Sequence, residues 1–300
     1  MKVNVHDPRG EELAQVLVRA TAALAQVPST RVDAELLAAH LLYGGSRSRL
    51  QHAALMGERL TPAQVAEYEA LVARRAAREP LQHITGRAPF HHLELSVGPG
   101  VFVPRPETEL LVEEALKVLS ARAESATGQL RIVDLCTGSG AIAAAVKSEL
   151  PNAQVFAVEL SEEAIPYARK NLESLGVHLV QGDALTALTE LAGRFDAVLS
   201  NPPYIPPANV PAAPEAALHD PEMALYGGGA DGMKMPSAIA ARAYELLAPG
   251  GFFMMEHDDT QEEAVAELLA RVGFERCYPV RDLNGRPRHS AGYKPAAAGS

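Results

Sequence analysis

Asn201-Pro202-Pro203-Tyr204 places a side-chain amide, a carbonyl outside any strand ladder and an aromatic ring within four residues. The apolar run before it, Phe195-Asp196-Ala197-Val198-Leu199-Ser200, reads as a buried strand. Neither proline has an N–H to donate, so the strand stops at Asn201. Pro202 also biases Asn201 toward an extended backbone. A stiff strand end of this kind suits a planar NH2 group: two hydrogen-bond acceptors hold its protons and a ring stacks on its plane. A plain proline-rich turn has the same composition, so the tetrapeptide gains meaning from a second motif upstream.

That motif is Ile132-Val133-Asp134-Leu135, then Cys136-Thr137-Gly138-Ser139-Gly140, then Ala141-Ile142-Ala143: a strand, a tight turn and the start of a helix. Glycines let the backbone approach a ligand and leave helix N–H groups facing it. Glu159 ends the next strand, twenty-one positions after Gly138, where a carboxylate suits a ribose diol. Gly182-Asp183-Ala184 ends the third strand, with Asp183 placed for an adenine amino group. The same parts serve a nicotinamide cofactor. Two details favour S-adenosylmethionine. Cys136 replaces the first glycine of the dinucleotide fingerprint, and the fourth strand ends in Asn201 to Tyr204 on the same sheet edge, near the switch point where ligands bind. Cys136 has no evident His partner and reads as a small turn residue, not a reactive thiol. His83, His91 and His92 are imaginable as metal ligands, but no carboxylate or Cys completes a site. They read as surface and turn histidines, and no metal is expected.

The elements that must position these residues follow from periodicity. The first eighty residues read as helices over 11–25 (Leu13, Val16, Leu17, Ala20, Leu24), from 30 or 31 to 43, over 46–55 and from Pro62 to about 78. Gly44-Gly45 ends the second, and Thr61-Pro62 supplies an N-cap and first helical residue for the last. The alternation in 90–97, then Gly98-Pro99-Gly100, then Val101-Phe102-Val103, predicts a β-hairpin. A helix over 106–119 gathers Glu107, Glu109, Glu113 and Glu114 toward its start, where the helix dipole favours acids. Beyond 130, strands at 131–135, 154–159, 178–181, 195–200, 252–256 and 274–279 alternate with helices at 141–150, 161–174, 234–247 and 260–272, and a last segment covers 288–293. This alternation predicts a doubly wound α/β sheet. The stretch 206–236, rich in Pro, Ala and Gly, breaks the rhythm and has the length of a lid or binding loop.

Bulk properties narrow the function classes. Three hundred residues make one large domain or two modest ones, and 47% hydrophobic with 21% charged residues is globular. No apolar run reaches the ~18–20 residues of a membrane span, and the N-terminus has no signal-peptide apolar region. Cys136 and Cys277 lie far apart and make no metal spacing, which points to a reducing cytosol. A net charge of −10, few aromatics and no Trp argue against nucleic acid as the direct partner.

Taken together the motifs resemble the HemK/PrmC protein-(glutamine-N5) methyltransferases. The resemblance runs through 79–86 to Phe90, through Val101-Phe102-Val103-Pro104-Arg105-Pro106-Glu107-Thr108-Glu109, through 133–143 and 200–205. It continues in Leu225-Tyr226-Gly227-Gly228, Asp231-Gly232, Glu256, Gln261 and 282–288. Cys136 stands where that family usually has Gly, Glu159 where Asp is common, Ala184 where some members carry an aromatic, and Gln82-His83 where Gln-Tyr is more usual. The resemblance implies a Rossmann-like class I S-adenosylmethionine-dependent methyltransferase sheet over 105–300, a β-hairpin linker over 80–104 and a helical substrate-docking domain over 1–79. It implies methyl transfer to the side-chain amide nitrogen of the Gln in the Gly-Gly-Gln loop of class I peptide chain release factors. Cys136, Thr137, Gly138, Ser139, Gly140, Glu159, Asp183, Ala184 and Asn201 are then expected to bind S-adenosylmethionine. Asn201, Pro202, Pro203 and Tyr204 are expected to grip the glutamine, with Asn201, Pro202 and Tyr204 catalytic. Arg31, Arg47, Arg49, Arg74, Arg75 and Arg78 are candidates for meeting an acidic partner, and the chain is expected to act as a monomer. A glutamine on a ribosomal protein, an exocyclic N6-adenine or N2-guanine amine, and a non-catalytic binding module are the rival readings.

Overall fold

The computed structural model describes residues 10–125, 128–211 and 213–297. In chain order the first elements are β1 (Glu11–Glu12), α1 (Leu13–Ala23), α2 (Thr30–Tyr43), α3 (Arg47–Leu55), β2 (Arg59–Leu60), α4 (Pro62–Ala76) and α5 (Leu81–Thr85). Then come β3 (Arg87–Phe90), β4 (Leu93–Ser96), α6 (Pro106–Ser125), β5 (Arg131–Leu135), α7 (Ala141–Glu149), β6 (Gln154–Glu159), α8 (Ile165–Leu172), β7 (His178–Gln181) and β8 (Phe195–Ser200). The last are α9 (Pro214–His219), α10 (Glu222–Leu225), α11 (Lys234–Leu246), β9 (Leu247–Glu256), α12 (Glu262–Val272), β10 (Glu275–Arg281) and β11 (Pro287–Tyr293). Two compact units result: Met1–Gly86 with Ala212–His219, and Arg87–Pro211 with Asp220–Ser300.

The first unit is helical because its apolar residues recur at helical spacing and its caps are explicit. Thr61 and Gln64 form a reciprocal capping box at the start of α4, with Pro62 at the first turn. Gly44 closes α2 in the left-handed conformation. Leu13, Leu24, Leu37, Leu50 and Tyr68 are fully buried between these helices, each side chain contributing roughly 1.5–3 kcal/mol. The Tyr68 hydroxyl donates to the Ala34 carbonyl at 2.8 Å. α9, from the stretch after Tyr204, belongs to this unit: Glu215 ion-pairs with Arg75 at 2.9 Å and Arg78 at 2.7 Å, and Arg75 also pairs with Asp33 at 2.8 Å.

The second unit is built on a seven-stranded sheet of order β10-β11-β9-β8-β5-β6-β7, parallel from β9 to β7 with β11 and β10 antiparallel at one edge. Alternate residues serve opposite faces. Ile132, Ala197, Leu199, Phe252 and Met254 face a core that includes Leu111, Leu119, Ile142 and Val146. Val133, Val198, Phe253 and Met255 face one that includes Ile239, Ala243, Leu268 and Leu269. Both faces are covered, which is why these strands read as continuous apolar runs. The order reverses at β5, so the carboxyl ends of β5, β6, β7, β8 and β9 present Leu135, Glu159, Gln181, Ser200 and Glu256 along one edge.

Three expectations change. The hairpin joins β3 to β4 through His91-His92, not through Gly98-Pro99-Gly100. Val101 and Val103 pack against Ala88, Val97 and Ala164 instead of pairing as a strand. The hairpin also lies in the second unit, where Asn171 on α8 clamps Ser96 through both ends of its amide, at 2.7 and 2.9 Å. His83 is not a surface histidine: it is buried in α5. The 206–236 stretch, which breaks the strand–helix rhythm, carries α9 and α10.

Candidate active site

A cavity of about 500 Å³ opens at the carboxyl edge of the sheet, lined by Cys136, Thr137, Gly138, Ser139, Glu159, Asp183, Ala184, Asn201 and Pro203 among others. Such a volume suits one cofactor-sized ligand. Phe102, Pro104 and Thr108 line it from the segment before and within α6, and Pro221, Met223, Ala224 and Met235 from the stretch after β8. Gly140, Pro202 and Tyr204 are not on its wall.

The turn after β5 is locally strained toward the cavity. Cys136 has φ +63, a left-handed value that costs a non-glycine residue roughly 1–2 kcal/mol. Burial pushes the Cys136 thiol up, helped by the neighbouring Glu159 and Asp134 charges, so it stays protonated and unreactive at neutral pH. Gly138 has φ +59, and a Cβ built on it meets no atom within 4 Å, so its backbone borders open space. Beneath the turn, Asp134 accepts from the Thr137 hydroxyl and from the Ala143 N–H at 3.2 Å. Burial pushes its carboxyl up to about 7. Glu159 accepts from the Gly138 N–H and the Ser161 N–H, each at 2.7 Å. Burial raises its pKa against these donors, which fix the carboxylate's orientation at the strand end.

A hydrogen-bonded chain behind Asn201 settles which way its amide faces. Asn201 Nδ2 lies 3.0 Å from Thr108 Oγ1, which lies 2.7 Å from Glu256 Oε2. Tyr204 OH lies 3.0 Å from Glu256 Oε1. Thr108 and Glu256 are almost fully buried. Burial pushes the Glu256 carboxyl up, but His289, 3.4 Å away, and the Thr108 and Tyr204 hydroxyls outweigh it and hold Glu256 below the usual carboxylate range. An ionised carboxylate only accepts, so the single Thr108 proton goes to Glu256. Thr108 must then accept from Asn201, which commits its NH2 to Thr108 and keeps its Oδ1 available as an acceptor. Burial and the Glu256 charge push the Tyr204 phenol well above its usual range, so it too remains a donor.

The backbone beyond Asn201 is fastened as tightly. Gln261 Nε2 donates to the Tyr204 and Asp231 carbonyls, both at 2.9 Å. A Cβ on Gly232 would sit 2.2 Å from the Tyr204 carbonyl oxygen, and one on Gly227 2.8 Å from that of Pro203. Only glycine permits this approach. Arg105 and Asp220 form an ion pair between the segment before α6 and the stretch that carries α10.

The family model described as the PrmC N-terminal domain matches residues 15–86, and that of the methyltransferase small domain matches residues 99–230. The release factor glutamine methyltransferase of Streptomyces coelicolor is 48% identical over 94% of this chain and 97% of its own length. The protein of the same name from Mycolicibacterium smegmatis is 46% identical over 90% and 92%. The chain belongs to the release factor glutamine methyltransferase family. As a member it is an S-adenosylmethionine-dependent methyltransferase with the class I fold. A more distant relative, 39% identical over 87% of this chain and 88% of its own, is the 4-amino-L-phenylalanine/4-methylamino-L-phenylalanine methyltransferase of Streptomyces pristinaespiralis.

The cavity fits the cofactor of this methyltransferase: open space beside the Gly138 backbone, an oriented Glu159 at the end of β6, and Asp183 and Ala184 at the end of β7. Sequence reasoning gave Thr108 and Glu256 no individual role, and it did not single out Phe102, Met223 or Met235. One signal was available for Glu256: an acid ending the strand beside β8, on the edge that carries Asn201.

Proposed function

We propose that this methyltransferase transfers a methyl group to the side-chain amide nitrogen of the glutamine in the Gly-Gly-Gln loop of class I peptide chain release factors. The Asn201 Oδ1 at the cavity, left available as an acceptor, carries this reading, and the names of curated relatives 46% and 48% identical to the chain support it.

Cys136, Thr137, Gly138 and Ser139 hold the methionine end of S-adenosylmethionine, Glu159 its ribose, and Asp183 and Ala184 flank its adenine, while Gly140, expected among them, lies against Leu172 instead. Bound there, the cofactor supplies an electrophilic methyl on a sulfonium. An amide nitrogen is a poor nucleophile because its lone pair is delocalised into the carbonyl. The chain's contribution is therefore aim, which supplies roughly 7–11 kcal/mol in favourable systems. Asn201 Oδ1 and the Pro202 carbonyl accept the two amide N–H bonds, and Pro203 bounds the glutamine from the wall side. These acceptors strengthen as positive charge develops on nitrogen. No strong base is needed, because an N-alkylated amide cation loses its proton readily. The sequence offers the Tyr204 ring for stacking on the amide; with its hydroxyl held by Glu256, we assign it instead to bracing the strand end. The helical unit docks the release factor, in the cytosol and as a monomer.

The test is methyl transfer from labelled S-adenosylmethionine to purified class I release factor, beside the same factor with its loop Gln replaced by Ala. Label on the wild-type factor alone supports the reading; equal label on both contradicts it. The Streptomyces pristinaespiralis relative favours a second acceptor, a small aryl amine, so 4-amino-L-phenylalanine is the control substrate.

A further inference from the structure

His91 and His92, in the β3–β4 turn, have no part in the chemistry above. Their Nδ1 atoms lie 2.6 Å apart. Glu149, the last residue of α7, supplies the carboxylate that the sequence did not place beside them. Its Oε1 lies 3.2 Å from His92 Nδ1 and 3.9 Å from His91 Nδ1.

Donor accounting shows what the gap between them needs. Ser148 Oγ donates its one proton to the Ala145 carbonyl at 2.8 Å. It can therefore only accept from His92 Nε2, 3.1 Å away. A neutral His92 is then the Nε2–H tautomer, with its lone pair on Nδ1. That lone pair faces a carboxylate oxygen and the His91 Nδ1, so it either accepts from a His91 Nδ1–H or, once both Nδ1 atoms are deprotonated, shares a cation with that nitrogen and the carboxylate. The carbonyl end of α7 adds negative potential at the same place.

We propose that His91, His92 and Glu149 form a divalent transition-metal site of the zinc type, with two imidazole nitrogens, one carboxylate oxygen and a water in the fourth position. Small ring rotations open the two nitrogens to the ~2.0–2.1 Å bond lengths of such an ion. Half of the His92 side chain is exposed, so the ion enters directly from solvent. The bound ion staples the hairpin turn to the end of the helix whose start is the cofactor turn. Ser148 acts from behind, fixing the His92 tautomer as an outer partner of a ligating histidine does.

Calorimetric titration of tag-free full-length protein with zinc chloride, with magnesium chloride as the control, tests this. One equivalent of zinc is expected to bind and to raise the melting temperature. His92→Ala and Glu149→Gln should each weaken it by about tenfold or more, and Ser148→Ala by roughly 10-fold through the lost outer contact. Metal-free melting temperatures of the variants verify that these exposed changes leave the fold intact. Absence of zinc binding by the wild type overturns the site. So does undiminished binding in both ligand variants, which assigns the ion to another group such as the exposed Cys277.

Discussion

At the scale of single residues, the orientation of one amide follows from the destination of one proton. Thr108→Val keeps the shape of the Thr108 side chain but removes its acceptor, leaving Asn201 free to turn its NH2 toward the substrate. Turnover should fall by roughly 10²-fold, the usual effect of losing one preorganised electrostatic contact, with cofactor affinity unchanged. Thr108→Ser should restore most of it. Wild-type kcat in the Val variant would falsify the orienting role. The charge on Glu256 sets the pH dependence. Its folded pKa is lowered from 4.5, so it is ionised throughout the neutral range and takes up a proton only as pH falls below that value. Its stabilising contribution is present above 4.5 and lost below. The kcat profile at saturating cofactor should thus show no limb from this group near pH 6, and Glu256→Gln should lower kcat at every pH. Asn201 stands out in the sequence as the candidate reacting site because Pro202 and Pro203 end a strand there. Thr108 and Glu256 were not legible as its orienters, because they are 93 and 148 positions from their partners Asn201 and Thr108.

At the scale of elements, periodicity reported the strands well, because burial on both faces leaves a continuous apolar signature. The hairpin turn was misplaced because a glycine–proline–glycine run outweighs two histidines on composition, although His91 supplies the left-handed residue. The glycine-containing turn after β5 carries a pH response of its own. Asp134 has its carboxyl raised from 3.8 to about 7, so between these values the folded protein holds a proton that the unfolded chain releases. Stability from this group therefore rises as pH falls from 7 toward 4, by at most about 1.4 kcal/mol per pH unit. Asp134→Asn should flatten that slope in urea titrations at pH 5 and pH 8; an unaltered slope would assign the effect elsewhere. The fastening of the strand end makes a second claim. Gly232→Ala drives a methyl into the Tyr204 carbonyl and should abolish turnover, whereas Gly285→Ala, also at positive φ but with nothing within 4 Å, should cost stability alone.

At the scale of the whole molecule, the helical unit is completed by a segment far along the chain. α9 follows Tyr204 by ten residues and contributes Glu215 to Arg75 and Arg78. The arginines that sequence alone offers to an acidic partner are mostly consumed here. Arg31 and Arg47 share Glu35, Arg74 pairs with Glu79, and Arg75 joins Asp33 to Glu215. Exposed pairs of this kind stabilise little, but Arg75 and Asp33 are buried, and removing this cation strands the Asp33 carboxylate and leaves Glu215 to Arg78 alone. Arg75→Met should therefore destabilise the helical unit by roughly 3–5 kcal/mol, read as an early unfolding transition in hydrogen exchange over 30–76 and 214–219 together. The joint loss is the informative part: if 214–219 kept its protection while 30–76 lost it, the segment would not be held by this cluster. The same pairing predicts the salt response of docking. With their charges already matched inside the unit, these arginines steer an acidic partner weakly. The KM for release factor should accordingly change less than about threefold between 50 and 300 mM salt, well short of the steep dependence that unpaired guanidinium groups would impose.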